Sequence, residues 1–171
     1  MNRIGFLVGL VLLACTLAAL KEMGEGARAV VVVPPSISAA ELASMHALGV
    51  RGIRFNIATG ASRDHEAIRT LAQRVHEFGW HVQFWMSAND TVQMADFLRS
   101  LPCPVVFDHR GHLPQPEGIA HPAFKVICAL LDAGKAWVKL SGLYLDTVTP
   151  GYADTVAVGR AFVDAAPERM V

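Results

Sequence analysis

The sequence predicts an α/β fold built around a parallel sheet of about six strands. Short apolar runs alternate along the chain with amphipathic segments that have helical spacing. The predicted strands begin near residues 30, 52, 81, 105, 137 and 169, about 22 to 32 residues apart. A parallel sheet of this kind is either doubly wound or closed as a barrel, and the alternation leaves both arrangements open.

Each predicted strand is a short apolar-rich run bounded by proline, glycine or polar residues. The strands cover residues 30–33, 52–57, 81–86, 105–108 and 137–140, and a sixth opens at 168–171. A complete (β/α)8 barrel needs roughly 250 residues, and this chain has 171. If the sheet is a barrel wall, we therefore expect an incomplete one. No GxGxxG pattern follows a strand, so a dinucleotide-binding fold has no support.

The predicted helices carry recognisable start and stop signals. They cover residues 38–48, 64–78, 89–98, 122–133 and 152–165. Ser38 and Glu41 have the spacing of a capping box, and Gly49 fits the end of that helix. Asn89 and Asp90 are expected to cap the third helix.

Composition excludes several classes of protein. Fifteen basic and fifteen acidic residues cancel, so there is no electrostatic argument for a nucleic-acid partner. Hydrophobic residues make up 53 % of the chain and charged residues 18 %, which excludes a disordered chain. Cys15, Cys103 and Cys128 are too few and too scattered for a disulfide framework or a zinc cluster, so we expect free thiols.

Residues 4–20 form an uncharged apolar stretch that follows Arg3. This pattern is typical of an export signal or a membrane anchor. It is equally typical of a buried helix that stops at Gly24 and Gly26. We therefore expect residues 1–20 to form a separate apolar segment and residues 21–171 the folded domain, with a membrane-associated or exported protein as one alternative.

The strongest candidate site follows the fourth predicted strand. In parallel α/β folds ligands gather at the carboxyl ends of the strands, and residues 108–112 read DHRGH at such an end. A neutral imidazole is a metal ligand or a general base, and an adjacent carboxylate can fix its tautomer. We interpret His109 in this way; a polar surface turn is the alternative.

Two further strands place polar side chains near the same edge. Arg54 and Asn56 share one strand face, and a guanidinium there needs an anionic partner. A substrate carboxylate would serve, and so would an internal salt bridge to Asp108 or Glu77. Trp85 lies near the ligand end of the next strand, with Gln83.

Lys139 and Ser141 occupy the same end of the fifth predicted strand, where the lysine is a substrate clamp or half of a structural pair. His81 lies at the opposite end of its strand and is expected to be structural. We expect the four remaining histidines to be solvated: His46, His65, His76 and His121.

Seven segments in fixed order carry a specific resemblance. They are GVRGIRFN (49–56), GWHVQ (79–83), VFDHRGH (106–112), HPAF (121–124), WVKLSG (137–142), YAD (152–154) and PERMV (167–171). Together they resemble the amidohydrolase-2 family of TIM-barrel hydrolases, in particular its branch of 2-pyrone-4,6-dicarboxylate lactonases and sugar lactonases. The likeness extends from about residue 17 to residue 171.

The resemblance implies an incomplete (β/α)8 TIM barrel of the metal-dependent-hydrolase type and a cytoplasmic hydrolase. Its substrate would be a small carboxylated lactone, opened by water that a carboxylate deprotonates. His109 matches the family's Asp-His motif, either polarising the carbonyl or binding a divalent metal such as zinc or manganese. Arg54 matches the arginine that binds the substrate carboxylate. We count Asn56, Trp85, His112, Lys139 and Ser141 as further substrate-binding candidates.

The chain also departs from the family pattern. The His-x-His pair is absent, and His112 stands where the pyrone branch usually has an arginine. The family's Trp-Gly-Thr-Asp segment, which supplies the catalytic carboxylate, has no counterpart before Val171. We therefore expect the chain to be truncated at both ends and to lack lactonase activity by itself. The alternative is a non-catalytic barrel fragment, tethered to a membrane through residues 4–20 or forming a homo-oligomer through its exposed strand edges.

Overall fold

A computed structural model describes residues 3–57 and 64–171, with side chains from residue 12 onward. Within these residues five parallel strands form one sheet, and their spatial order follows their order in the chain. The strands are β1 (Ala29–Val31), β2 (Val50–Asn56), β3 (His81–Trp85), β4 (Val105–Phe107) and β5 (Ala136–Val138). A doubly wound sheet reverses its strand order at a switch point. The uninterrupted order is that of a barrel wall, so the structure decides between the two predicted arrangements.

Helices connect the strands, as a parallel sheet requires. The described α-helices are α1 (Arg3–Met23), α2 (Ala39–Leu48), α3 (His65–His76), α4 (Ala88–Gln93), α5 (Ala95–Ser100), α6 (Pro122–Asp132), α7 (Leu143–Asp146) and α8 (Ala153–Ala165). The predicted capping box is confirmed: the Ser38 hydroxyl accepts from the Glu41 amide, and the Glu41 carboxylate accepts from the Ser38 amide. Gly49 ends α2 in the left-handed conformation.

Two element predictions are wrong. The predicted helix 89–98 is two short helices that meet at Met94, and Ser87 caps the first of them instead of Asn89 or Asp90. A serine hydroxyl caps a helix as well as an asparagine or aspartate side chain does. All three occur close together here, as Ser87, Asn89 and Asp90. The sixth strand is reduced to one parallel bridge between Met170 and Val138, because residues 167–169 form a 3-10 turn.

The two faces of the sheet differ in chemistry. Side chains alternate across a strand, and one set faces the helices and is apolar. Its buried members are Ile53, Val82, Phe84, Val105, Phe107, Ala136 and Val138. The other face carries polar and charged side chains, including Arg54, Gln83 and Asp108. The covered face thus supplies the core, and the polar face is free to carry a site.

Helix α1 runs across the predicted boundary at residue 20. Leu20 is buried in the core, and Leu13 and Leu17 pack against it. In the part of the chain that the structure describes, no helix combines the length and apolar character needed to cross a membrane. The separate segment 1–20, the oligomer formed through strand edges and the cytoplasmic localisation stay predictions.

Two of the four histidines expected in solvent are packed. His46 is half-buried and accepts a hydrogen bond from the Trp80 indole at 2.9 Å. His121 is buried and caps α6 by accepting from the Ala123 amide at 3.2 Å. A ring nitrogen can accept the hydrogen bond that a capping side-chain oxygen usually accepts. The prediction of a solvated His121 did not allow for this role. His65 and His76 are exposed as predicted.

Candidate active site

A buried carboxylate is the centre of the polar face. Asp108 follows β4 directly, and its side chain is 0 % exposed. Its Oδ2 lies 2.8 Å from Nη2 of Arg54 and accepts from Nε2 of Gln83 at 3.2 Å. Its Oδ1 lies 3.0 Å from Nζ of Lys139. A buried carboxylate is stable when several donors replace its lost water, and here donors from β2, β3 and the end of β5 do so.

Strand register explains why these groups meet. Arg54 pairs with Gln83 across β2 and β3. Phe107 pairs with Val138 across β4 and β5. Asp108 and Lys139 each come one residue later, so they are neighbours at the carboxyl edge of the sheet. Residues far apart in the chain converge because parallel strands end at the same edge.

Arg54 is oriented by more than the ion pair. Its Nε donates to Oδ1 of Asn56 at 2.8 Å, and its guanidinium carbon lies 5.5 Å from the centre of the Trp85 ring. Of the alternatives for Arg54, the internal salt bridge to Asp108 is present. The Arg54 side chain is nevertheless 29 % exposed and that of Lys139 is 32 % exposed. Two cations against one carboxylate leave one net positive charge at a surface that a ligand can reach.

His109 lies beside this cluster. Its Nδ1 is 3.0 Å from Oγ of Ser141, and its Nε2 is 3.5 Å from Oδ2 of Asp108. A carboxylate only accepts, so it favours the tautomer with the proton on Nε2, and Nδ1 then accepts from the Ser141 hydroxyl. Burial lowers the pKa of His109; Asp108 opposes the shift, and nearby basic side chains add to it. His109 is therefore neutral at neutral pH.

The segment that carries His109 has an unusual backbone. Residues 109–112 all have positive φ, between 47° and 68°, and only one of the four is glycine. A left-handed conformation costs roughly 1–2 kcal/mol for each non-glycine residue. Such a segment persists only where surrounding contacts hold it, and such strain clusters at functional sites.

A buried arginine supplies many of those contacts. The Arg110 amide donates to the Lys139 carbonyl at 2.9 Å. Its guanidinium donates to the carbonyls of Ser141 and Gly142, and Nη2 lies 3.5 Å from Oδ2 of Asp146. Burial lowers the pKa of Arg110, although Asp146 opposes the shift. The other Asp146 oxygen lies 3.1 Å from Nδ1 of His112.

The structure brings all seven predicted site residues together. Six of them are joined by the contacts around Asp108, Arg54 and His109: Arg54, Asn56, Trp85, His109, Lys139 and Ser141. The seventh, His112, has its ring centre 6.1 Å from that of Trp85 and 5.3 Å from that of His109. Their proximity is an observation, and their roles in binding and catalysis stay predictions.

Sequence reasoning did not place Gln83, Asp108, Arg110 or Asp146 among the site residues. Asp108 was considered as a partner of Arg54, and its position at a strand end was a usable signal. Arg110 lay in the candidate segment 108–112, but nothing in the sequence showed that its guanidinium is buried. Asp146 gave no signal, because an aspartate in a loop is ordinarily solvated.

A divalent metal at His109 does not fit the described residues. Both oxygens of the adjacent Asp108 already face cations within 3.0 Å, so a dication there would meet like charge. Across residues 3–57 and 64–171, no group of three or more His, Cys, Asp or Glu side chains could hold an ion.

The chain is similar to proteins whose names describe enzymes of lactones and of a pyrone dicarboxylate. A 2-pyrone-4,6-dicarbaxylate hydrolase of Comamonas testosteroni is 32 % identical, with 90 % of this chain and 54 % of the relative covered. A 4-sulfomuconolactone hydrolase of Hydrogenophaga intermedia is 30 % identical, with 88 % and 51 % covered. A D-galactarolactone isomerase of Agrobacterium fabrum is 29 % identical, with 91 % and 54 % covered. The chain thus spans about half the length of the curated relatives it matches.

Solved structures share the fold. An apo crystal structure from Agrobacterium tumefaciens superimposes with a TM-score of 0.81 at 29 % identity, covering 91 % of this chain and 58 % of the other. An amidohydrolase of Burkholderia multivorans with bound zinc, 21 % identical, gives a TM-score of 0.57 and covers 94 % and 60 %. The zinc belongs to that protein, and the likeness at this identity concerns the fold.

The family model described as Amidohydrolase matches residues 12–171, which is nearly the whole chain. The match includes the seven motif segments and every residue of the site around Asp108 whose contacts are given above. The resemblance inferred from the motifs is thereby confirmed: this chain belongs to the amidohydrolase family.

Proposed function

We propose that this chain carries the anion-binding part of a hydrolase site that opens small lactone rings bearing carboxylates. The observation that supports it is the pair of partly exposed cations, Arg54 and Lys139, held on opposite oxygens of the buried Asp108. The relatives act, by their names, on a pyrone dicarboxylate and on a sulfomuconolactone. Anionic lactones are the ligand class that a net positive site would select.

The chemistry assigned to each group follows from its type. The Arg54 guanidinium can hold a carboxylate with two parallel hydrogen bonds, and the Lys139 ammonium adds a point charge. Addition of water to the lactone carbonyl breaks the ring C–O bond and yields a hydroxy acid. His109, neutral at neutral pH and adjacent to the anion site, exchanges a proton with the reacting ring.

Anion binding is tested by titrating 2-pyrone-4,6-dicarboxylate, with neutral 2-pyrone as the uncharged comparison, in a calorimeter. We expect the dicarboxylate to bind and Arg54→Met or Lys139→Met to weaken it about 10-fold or more, because a hydrogen bond to a charged group contributes about 1.5–3 kcal/mol. The matched controls are Arg160→Met and Lys125→Met, which alter exposed residues on α8 and α6. Equal affinity for the neutral ring, or no effect of either site variant, contradicts the proposal.

The role of His109 has a separate test. Ring opening of the dicarboxylate is followed by the loss of pyrone absorbance, with wild-type chain and with His109→Asn. Since we expect the chain to lack lactonase activity by itself, neither chain should open the ring measurably, although both should bind the dicarboxylate. General acid–base help contributes roughly 10²–10⁴-fold, so turnover by the wild-type chain that falls by that factor in the variant would contradict the expected inactivity and assign the proton transfer to His109. Measurable turnover that is equal in the two chains removes His109 from the mechanism and leaves the anion site intact.

A further inference from the structure

The mouth of the site is made of two segments that are far apart in sequence. The first is the left-handed turn, residues 109–112, after β4. The second is the loop after β5, residues 139–146, which we name the β5 loop. The ring of His109 belongs to the first segment, but its hydroxyl partner, Ser141, belongs to the second. The position of the imidazole therefore depends on how the two segments are fixed to each other.

Arg110 is the residue that fixes them. Its side chain is 2 % exposed and its guanidinium reaches three groups of the β5 loop: the carbonyls of Ser141 and Gly142 and the carboxylate of Asp146. Its backbone amide adds a fourth link, to the Lys139 carbonyl. A planar fork of five N–H donors can serve several acceptors at once, whereas an ammonium cannot match this geometry.

The β5 loop is shaped to receive the His109 ring. Gly142 has φ of +73°, and a Cβ at that position would lie 2.5 Å from Nδ1 of His109. The ring therefore packs against the bare backbone of a residue whose carbonyl Arg110 holds. Asp146 closes the arrangement, because it accepts from Arg110 with one oxygen and faces Nδ1 of His112 with the other.

We infer that Arg110 is a positioning residue that sets the orientation of the His109 imidazole by clamping the β5 loop to the left-handed turn. Arg110 does not belong to the anion-binding pair, since its guanidinium is buried and directed at the β5 loop. The inference rests on the proposed function in one respect: Arg110 matters for catalysis because His109 is the group that would exchange a proton with substrate. Its test does not need substrate.

The experiment is long-range ¹H–¹⁵N NMR of the imidazole rings in the ligand-free chain, which reports the tautomer and titration midpoint of each histidine. His109 is assigned from the signals lost in His109→Asn. In Arg110→Met we expect the His109 midpoint to rise toward the value of a free histidine, with mixed tautomers, because the ring is no longer held in its buried position. In Arg110→Lys, which keeps the charge without the fork, we expect an intermediate shift.

Controls separate positioning from general loss of structure. The ring signals of exposed His76 and of His46, bonded to Trp80, should not move in either variant, and Arg160→Met should change none of the rings. His109 signals that are unchanged in folded Arg110→Met overturn the inference. If Arg110→Met does not fold, Arg110→Lys decides: a wild-type His109 spectrum overturns the inference, and a selective shift supports it. Failure of dicarboxylate binding would overturn the proposed function without touching this result.

Discussion

Phe107 and Asp108 are neighbours in the chain, and both are almost fully buried, at 0 % and 1 % exposure. Phe107 lies on the face of the sheet that the helices cover, among aliphatic and aromatic side chains. Asp108 lies on the polar face, directly after β4, and is surrounded by Arg54, Gln83 and Lys139. One face of the sheet thus stabilises the fold by excluding water. The other face holds charged side chains, each of which needs a hydrogen-bonding or oppositely charged partner in the right place. Substitutions on the two faces should fail in different ways.

The largest effect is expected on the covered face. Phe107→Ala removes a fully buried ring and leaves a cavity, which typically costs about 3–5 kcal/mol of unfolding free energy. The free energy is measured by urea denaturation. Val148→Ala, at a side chain that is 67 % exposed, is the control and should change it by less than about 0.5 kcal/mol. A loss no larger than that of the control would show that the covered face is not the core.

Next comes the packing of the left-handed turn on helix α6. Gly111 has φ of +68°, and an added Cβ would lie 2.4 Å from Cδ1 of Ile127. Gly111→Ala should therefore cost about 2–4 kcal/mol, the sum of backbone strain and overpacking.

Gly151→Ala is the matched control, because Gly151 has φ of +73° but nothing within 4 Å of an added Cβ. It should cost only the strain, about 1–2 kcal/mol. Equal losses in the two variants would mean that the turn does not pack on α6 as described.

On the polar face, Asp108→Asn should lower the unfolding free energy by about 1–3 kcal/mol, less than Phe107→Ala. Asparagine keeps the shape of the side chain, and only the negative charge that pairs with Arg54 and Lys139 is lost. Its distinguishing effect is on the site, where Arg54 and Lys139 lose the carboxylate that orients them. Dicarboxylate affinity in the folded variant should change several-fold, whereas folded Phe107→Ala should bind as the wild type does. Identical affinities for wild type and Asp108→Asn would contradict the assignment of ligand binding to the polar face.

The smallest effect is on the pH dependence of stability. Since burial lowers the pKa of His109 in the folded chain, the unfolded chain binds more protons just below pH 6.5, its ordinary value. The contribution of His109 is therefore fully present above that pH and is lost as the pH falls through the folded pKa. Between pH 7.5 and 5.5, His109→Gln should lose less unfolding free energy than the wild type. His76→Gln is the control. If His109→Gln loses as much unfolding free energy as the wild type does over this pH range, the lowered pKa of His109 is contradicted.

Local sequence patterns predicted most of the fold. The Ser38–Glu41 capping box and the apolar stripe of α3 act within a few residues, so their effect can be inferred without knowing the rest of the chain. The break at Met94 and the reduced sixth strand escaped prediction. In both places local propensity permits more than one structure, and packing against neighbouring elements selects one of them.

Three features are readable in the amino-acid sequence: the alternation of strands and helices, the family motifs and the strand ends where polar side chains collect. The meeting of Arg54, Gln83 and Lys139 on Asp108 is visible in the folded chain alone, because strand register sets which residues become neighbours. The same holds for the clamp of Arg110, whose acceptors lie 31 to 36 residues further along the chain. Short-range preferences are encoded within a turn or two of backbone, whereas a buried ion pair depends on where the whole chain brings its two partners.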